Sequence, residues 1–381
     1  MSTRQNAAIA ISFFLVLVFF SFPQDIIEYP DKPLAEKAGR IVDLEEVLCI
    51  HDTGEDYYFK YPSNLKIAPD GSIFVHDWSS GLLARFDKDG KFLRNYFRKG
   101  QGPGELNSVE NYFFDDSCIV IYDARLQKIL RVDFNGEMVK EFKVLRTARG
   151  FDFALCHGDS YYFIQYNVPF ESTKPTYVDV PYQLVVVNEE ENEVDSLVFF
   201  VLKVYVIGSG GGGGGMFQID KMITAPLANG CLFISHTQEY LLKLFDAEKN
   251  EIVRTFTRDY KRVKPSSEYN EMMKKGGVII GGKHYTEPPR KYRNDIQNLF
   301  VNQNKLWVMT STQDKKKGIL FDVFDLEGKY VDCFYVRFTE ENFPKYGGGS
   351  RMAFSGEFLY QIESTPEDTY VIRKYKMINL E

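Results

Sequence analysis

The fold is decided by residues 67–106, which read IAPDGSIFVHDWSSGLLARFDKDGKFLRNYFRKGQGPGEL. Apolar runs of strand length alternate here with turns rich in Gly, Asp and Ser; the runs are 72–76, 82–86 and 91–97. They are too short for helices and rich in Val, Ile and Phe, and Asp-Gly pairs between them suit tight hairpins. The stretch therefore predicts antiparallel strands, followed by a Gly/Pro loop at 100–105.

The same unit recurs along the chain. Its third turn returns with its flanking runs at 85–96, 131–142, 186–197, 244–256 and 323–334. Its second strand returns at 70–77, 116–123, 158–165, 229–236, 304–310 and 356–362. Repeats of about 40 to 50 residues are typical of propeller blades, which bury their faces against their neighbours. We therefore predict an all-β fold: one six-bladed β-propeller of four-stranded antiparallel blades over residues 40–381.

The first and last strands of this domain predict how the ring closes. The sixth copy has no outer strand before the chain reaches Glu381. Residues 40–50, RIVDLEEVLCI, form a spare strand without a blade of their own. Pairing of 40–50 with the last blade would close the ring and remove two free sheet edges.

The segments DGSIFVHD (70–77), RFDKDGKFLRNY (85–96) and GQGPGEL (100–106) resemble the NHL-repeat propellers. More closely, they resemble the exported bacterial six-bladed β-propeller proteins related to them. The resemblance places Gly100, Gly102, Pro103, Gly104 and Glu105 in the loop between two blades. It implies the propeller fold, an exported location and a binding or scaffolding role, and it implies no defined activity.

The N-terminus reads as a targeting segment. Residues 1–22 predict a signal peptide or N-terminal anchor, because Arg4 precedes an apolar run at 7–20 that is short for a membrane span. Residues 23–39 are predicted to be a linker. We expect export to the periplasm or cell envelope, with the membrane contacted only through residues 7–20.

Composition limits the partners. The net charge is −7 and no basic patch resembles a nucleic-acid footprint, which excludes that class of ligand. The 5 cysteines form no CxxC pair, so they predict no metal or redox motif and read as small, mostly buried residues. We expect a monomer that binds a protein or a small polar or glycan-type ligand, with no cofactor.

Candidate ligand-binding residues lie where the innermost strands begin, along the central channel; they are Asn64, Asn111, Lys221, Asn298 and Arg351. The repeat puts Asn111 and Asn298 in one register and Asn64 one position away. Together with the two cations they could bind a polar ligand or a carboxylate. In the alternative interpretation, the asparagines satisfy backbone groups at the strand starts.

No catalytic set is recognisable, so a binding role is favoured over catalysis. The alternative is a calcium-assisted hydrolase of lactonase type with its site in the channel, using Glu110 and Asp295 with the asparagines. No spacing identifies such a cage. Other acidic residues recur in successive blades and are assigned to turns instead, because a catalytic residue is needed only once; they are Asp77, Asp123, Asp87, Asp133, Asp246 and Asp325.

Two insertions interrupt the repeat, at 167–182 and 265–291, and a glycine run at 210–215 predicts a flexible loop. The second insertion predicts the chain's one helix, capped by Ser266 or Ser267 and ended by Gly276 and Gly277. Its lysines and arginines suit either a solvated surface or an anion site, and the two insertions together could form a protein-docking surface.

Overall fold

The computed structural model describes residues 25–54, 56–115, 117–144, 150–169, 174–188, 195–208, 214–280, 282–340, 342–344 and 351–380. The predicted leader at 1–22 and most of the glycine run at 210–215 lie outside these residues. Two strands precede the first blade: β1 (Ile26–Tyr29) and β2 (Arg40–His51). Residues 23–39 were expected to be only a linker, but β1 lies within them.

The first two blades match the predicted four-stranded pattern. The first consists of β3 (Pro62–Ile67), β4 (Ile73–Asp77), β5 (Leu82–Phe86) and β6 (Phe92–Asn95). The second consists of β7 (Asn111–Phe114), β8 (Cys118–Asp123), β9 (Lys128–Asp133) and β10 (Met138–Lys143). In each, the strands pair antiparallel in chain order.

In the loop between these two blades, residues 100–105, the position of the Glu105 side chain explains the glycines. The Gly102 N–H donates to the Glu105 carboxylate at 2.8 Å. A Cβ at Gly100 would stand 1.9 Å from an oxygen of the same carboxylate. Gly100 is therefore the residue that lets Glu105 fold back into its own loop.

The third blade has five strands instead of four. It consists of β11 (Gly150–His157), β12 (Ser160–Tyr166), β13 (Thr176–Val187), β14 (Asp195–Gly208) and β15 (Gly214–Phe217). Tyr166 pairs with Tyr182, so β13 extends beyond the end of β12, and this extension pairs with β14. The insertion predicted at 167–182 is therefore partly a long β-hairpin, and β15 belongs to this blade and not to the fourth.

The fourth blade consists of β16 (Met222–Pro226), β17 (Cys231–His236), β18 (Leu242–Asp246) and β19 (Glu251–Arg258). Its outer edge is covered by β1, which pairs parallel with β19. The insertion that follows contains α1 (Ser267–Lys275), β20 (Val278–Ile280) and β21 (Lys283–Tyr285). The helix has Ser266 as its N-cap and Gly276 as its C-cap, as the sequence predicts.

The fifth and sixth blades share one strand. The fifth consists of β22 (Ile296–Asn302), β23 (Lys305–Asp314), β24 (Gly318–Asp325) and β25 (Tyr330–Val336). The sixth consists of β26 (Met352–Ser355), β27 (Phe358–Ser364) and β28 (Tyr370–Ile378). The first residues of β2 pair parallel with β25, and Asp43 to His51 pair antiparallel with β28. The outer position of the sixth blade is thus occupied by β2.

The recurring acidic turns have the structural role that was predicted. In the first blade, the Asp87 carboxylate accepts the N–H groups of Asp89 and Lys91, at 3.0 and 2.9 Å. Gly90 follows with φ +86°, a conformation that favours glycine. Asp133 and Asp325 make the same pairs of bonds in the second and fifth blades.

Six hydrophobic clusters lie between successive blades. Phe74 and Tyr112 belong to the cluster between the first and second blades. Val75 and Tyr360 belong to the cluster between the first and the sixth. Because apolar side chains alternate along each strand, one face packs on the preceding blade and the other on the next.

A buried ion pair joins the fourth and fifth blades. Arg258 Nε donates to Asp322 Oδ2 at 2.8 Å, and both side chains are almost fully buried. The hydroxyls of Tyr240 and Tyr330 donate to the same carboxylate, each at 2.7 Å. Burial and this carboxylate raise the pKa of both tyrosines. Every oxygen of Asp322 is therefore hydrogen-bonded, as a buried charge requires.

We expect the substitution Asp322→Asn to lower the free energy of unfolding by roughly 3–5 kcal/mol, because Arg258 would remain buried without its counter-charge. Urea denaturation measures this loss. The matched control is Asp325→Asn, three residues along at the half-buried end of β24, where the asparagine side-chain oxygen can still accept the turn N–H groups; it should stay within about 1 kcal/mol of the parent protein. Equal losses in the two variants would contradict the assigned role of Asp322.

Candidate functional site

One end of the blades collects two kinds of connection, and we call it the upper face. Here the second strand of each blade turns into the third, and the outer strand leads to the inner strand of the next blade. Antiparallel order within each blade puts both connections at the same end. Binding residues are often carried by loops on a rigid scaffold, so we expect a ligand site on this face.

Buried carboxylates hold the upper face together. Asp77 Oδ2 accepts the N–H groups of Lys60 and Tyr61, and Asp77 Oδ1 accepts those of Ser79 and Ser80. In the second blade, Asp123 does the same for the N–H groups of four equivalent residues, which are Asn107, Ser108, Arg125 and Leu126. These aspartates join two connections and are structural, as predicted.

Two of the channel asparagines also bind backbone groups. Asn111 pairs with Tyr122 and Asn298 with Met309, which are equivalent second-strand positions, so the predicted register is correct. The Asn64 amide donates to the Glu110 carbonyl at 3.0 Å. The Asn111 amide donates to the carbonyl of Phe153, in the third blade, at 2.8 Å. These contacts favour the alternative interpretation, in which the asparagines satisfy backbone groups, and the carbonyls that Asn64 and Asn111 bind belong to the next blade.

Lys66 is the cation that the sequence reasoning missed. It lies on β3, and its Nζ donates to Asn111 Oδ1 at 2.9 Å and to the Tyr112 carbonyl. The same nitrogen lies 4.1 Å from the centre of the Phe113 ring. Burial lowers the pKa of Lys66 to about 7, although Glu110 acts in the opposite direction. A lysine between Leu65 and Ile67 in an inner strand was the available signal, but its partners belong to the next blade.

The remaining channel candidates are not part of this network in the described chain. Lys221 is exposed and precedes β16. Arg351 precedes β26, and its guanidinium lies 5.1 Å from the centre of the Tyr370 ring. Asn298 is half-buried within β22. A site that combines all five residues stays a prediction.

The acidic residues of the calcium alternative are engaged elsewhere. Glu110 Oε2 accepts the N–H of Phe153 at 3.1 Å. Asp295 forms an ion pair with Arg262 at 3.0 Å. Within the ranges that the structure describes, no three His, Cys, Asp or Glu side chains lie close enough to hold a metal ion.

The two insertions converge on a cavity of about 430 Å³ at the upper face, which we call the basic pocket. The β13–β14 extension supplies two lining residues and the end of the second insertion supplies three, with Tyr292 directly after it. The pocket is lined by Tyr177, Lys203, Ile219, Gln238, Arg262, Pro289, Arg290, Lys291 and Tyr292. The lining thus contains four cations, two tyrosines and no carboxylate.

Aromatic and polar contacts position the cations. The Arg262 guanidinium lies 4.8 Å from the centre of the Tyr292 ring and donates to the Gln238 carbonyl at 2.6 Å. Lys291 Nζ lies 5.4 Å from the same ring. Arg290 donates to Asn294 Oδ1 at 2.6 Å. Stacking on an aromatic face suits arginine and leaves hydrogen-bond donors at its edge.

Three carboxylates that pair with lining cations offset part of the charge. They pair with Lys203, Arg262 and Arg290, and they are Asp179, Asp295 and Glu287. Burial raises the pKa of Asp295 to about 6, and Glu239 contributes to the rise, while Arg262 opposes it. Three of the four lining cations thus have a carboxylate partner, and protonation of Asp295 below about pH 6 removes one of these counter-charges.

Sequence reasoning noticed both insertions and the local excess of lysine and arginine. It did not bring them together, because the hairpin of the third blade and the end of the second insertion are far apart in the chain. The alternative of an anion site was noted only for residues 265–291. The structure adds Lys203 and Tyr177 to it.

Comparison with known proteins agrees with this geometry. Residues 39–199 match the model of the DUF5128 family, described as a 6-bladed beta-propeller. The chain is a six-bladed β-propeller. The propeller superposes on a member of the DUF4221 family from Bacteroides vulgatus with a TM-score of 0.52 and 14% identity, over 89% of this chain and 99% of that one.

The propeller is also similar to a candidate exported protein from Bacteroides fragilis. The TM-score is 0.50 and the identity 13%, over 93% of this chain and 99% of that one. At these identities the likeness concerns the fold. No curated protein matches the sequence. In the described part of the propeller, no helix has the length and apolar composition needed to cross a membrane.

Lys66 predicts a pH dependence of stability. Its pKa is about 7 in the folded state and about 10.4 in an unfolded chain. Between these values the unfolded state binds more protons, so the contribution of Lys66 to stability increases as pH rises through this window. We expect the difference in unfolding free energy between the parent protein and Lys66→Met to shift in favour of the parent from pH 6 to pH 9.

Urea denaturation at several pH values measures this difference. The exposed Lys221→Met serves as the matched control, and its difference from the parent should stay flat. A flat difference for Lys66→Met as well would show that the folded state does not shift the titration of Lys66.

Proposed function

We propose that this protein is an exported β-propeller binding module that takes an anionic ligand in the basic pocket. The observation that carries the proposal is the lining itself: four cations and two tyrosines around about 430 Å³ at the upper face. A volume of this size is within the range of small-molecule sites. The ligand class is a small organic anion that carries a carboxylate, sulfate or phosphate group.

The chemistry of the lining supports an anion with an apolar or ring-shaped body. Arginine guanidinium groups donate in a planar fork that suits carboxylate and phosphate oxygens. Tyr177 and Tyr292 offer ring surface beside these donors, and Ile219 is buried under them. The ligand would place its charge among the lining cations, Lys203 and Lys291 included, and its body against the tyrosines.

Export is supported by the leader pattern in residues 1–22 and by the resemblance to exported bacterial propellers. One structural neighbour is itself described as a candidate exported protein. An envelope location would place the basic pocket where ligands from outside the cell pass.

Charge reversal tests the pocket. We expect Lys203→Glu combined with Lys291→Glu to weaken binding of naphthalene-1,5-disulfonate, an aromatic dianion, by about tenfold or more, since both lysines line the cavity. Isothermal titration calorimetry at low and at physiological salt measures the dissociation constant.

The matched control is Lys315→Glu with Lys316→Glu, on an exposed turn of the fifth blade. It makes the same change in net charge at residues that do not line the pocket, and it should leave the dissociation constant within about twofold at physiological salt. If both pairs of substitutions weakened binding of the probe equally, the effect would come from the overall charge. If neither pair changed the dissociation constant, the basic pocket would not be the binding site.

We also propose that β2 closes the ring of blades. Its pairing with β28 and the shared hydrophobic cluster of the first and sixth blades support this. In this arrangement β2 acts as the fourth strand of the sixth blade. The edge of β28 that faces away from β27 is then covered by β2.

A disulfide tests this closure, because Cys49 lies opposite Arg373 in the register of β2 and β28. Opposite residues in antiparallel strands have Cα atoms about 4.5–5.5 Å apart, which suits a disulfide. We expect Arg373→Cys to form a 49–373 bond on mild oxidation, detected by peptide mass spectrometry. Lys376→Cys, whose partner is Glu45, should not bond with Cys49; equal yields would contradict the register.

A further inference from the structure

An exposed aromatic pair occupies the upper face of the first blade. Trp78 is 64% exposed and Tyr61 is 46% exposed. Their ring centres are 5.5 Å apart and their planes differ by 18°, so the rings are stacked. The chain has 2 tryptophans. The other, Trp307, is only 2% exposed. The fold can therefore bury a tryptophan, and Trp78 is exposed because it lies in a connection on the upper face.

The backbone beneath the pair is fixed by one carboxylate. Asp77 is fully buried, and its Oδ2 accepts the N–H of Tyr61 at 2.7 Å. Its Oδ1 accepts the N–H of Ser79, directly after Trp78, at 3.0 Å. The two rings therefore project from two connections that the same side chain holds together. The backbone beneath the rings is already ordered before a ligand binds, which lowers the entropy cost of binding.

The second blade shows that the fold does not need these aromatic rings. There Asp123 makes the equivalent bonds, and the positions of Tyr61 and Trp78 are taken by Ser108 and Ala124. The same scaffold therefore forms with small side chains. Since exposed aromatic surface has a solvation cost, the pair in the first blade requires another explanation.

The size of the platform argues for a ring-shaped ligand rather than a protein. A stable protein interface buries about 1,200–2,000 Å² around an apolar core, which is much more than two rings supply. A pyranose ring has one face of C–H groups, which stacks on an aromatic face, and a rim of hydroxyls. The rim around the platform is polar, with the half-buried Ser79 and the exposed Lys60.

We propose that Trp78 and Tyr61 form a carbohydrate-binding platform that stacks one sugar ring of a neutral polysaccharide. The site is separate from the basic pocket, and it does not depend on the ligand proposed there. A single stacked sugar should bind with a dissociation constant on the order of 1 mM, and repeated sugars along a chain would raise the apparent affinity.

Affinity gel electrophoresis with soluble β-glucan, xylan, mannan and galactan tests the proposal. We expect at least one polysaccharide to retard the parent protein, Trp78→Ala and Tyr61→Ala to lose about tenfold or more in apparent affinity, and Trp78→Phe to retain part of it. Lys203→Glu with Lys291→Glu should leave retardation unchanged, which separates this site from the basic pocket.

Fluorescence provides a second measurement on the same proteins. Iodide should quench Trp78 and not the buried Trp307, and the retarding polysaccharide should protect Trp78 from quenching. Thermal midpoints of the variants should stay within about 4 °C of the parent, because each substitution removes one stacking contact between partly exposed rings. No retardation by any of the four polysaccharides, retardation unchanged in Trp78→Ala, or loss only of binding to a protein partner would each overturn the proposal.

Discussion

The upper face depends on buried carboxylates that accept backbone N–H groups from two connections at once. Asp77 and Asp123 end the second strand and bind both the chain that enters their own blade and the turn that follows. In the fourth blade the carboxylate comes from the other side: Asp220 precedes the inner strand and accepts the N–H of Gln238. Such bonds are strong because an ionised acceptor meets backbone donors away from water. A carboxylate thus joins the two connections in the first, second and fourth blades, although in the fourth blade the aspartate stands at a different position of the repeat.

This arrangement separates the fold from the binding surface. Because the backbone of each connection is fixed from below, the side chains above it are free to differ between blades. The first blade carries Tyr61 and Trp78, and the second carries Ser108 and Ala124 on the same framework. The insertions of the third and fourth blades add cations over a similar base, where Gln238 belongs both to the basic pocket and to the Asp220 network. A repeated scaffold can thus offer several unrelated surfaces.

Local signals predicted the parts of the structure that depend on local forces. Asp-Gly turns predicted the hairpins, and Ser266 predicted the start of the helix, because each acts within a few residues. The parallel pairing of β1 with β19 was not predicted. The two strands pair through backbone groups, so the sequence of β1 carries no pattern that identifies β19 as its partner. Lys66 and the basic pocket were missed for the same reason: Asn111, Tyr177 and Tyr292 approach them only after the blades have assembled.

The position of β2 has a consequence for synthesis. The ribosome makes β2 among the first residues of the domain, but its partners β25 and β28 are among the last. Contacts between distant parts of a chain form slowly and leave strand edges open meanwhile. The strands of four blades are therefore made before the first partner of β2, β25, and until then its N–H and C=O groups have neither of these partners. Its sequence includes Asp43, Glu45 and Glu46, and charged side chains of this kind disfavour edge-to-edge pairing of an unpaired strand with other chains.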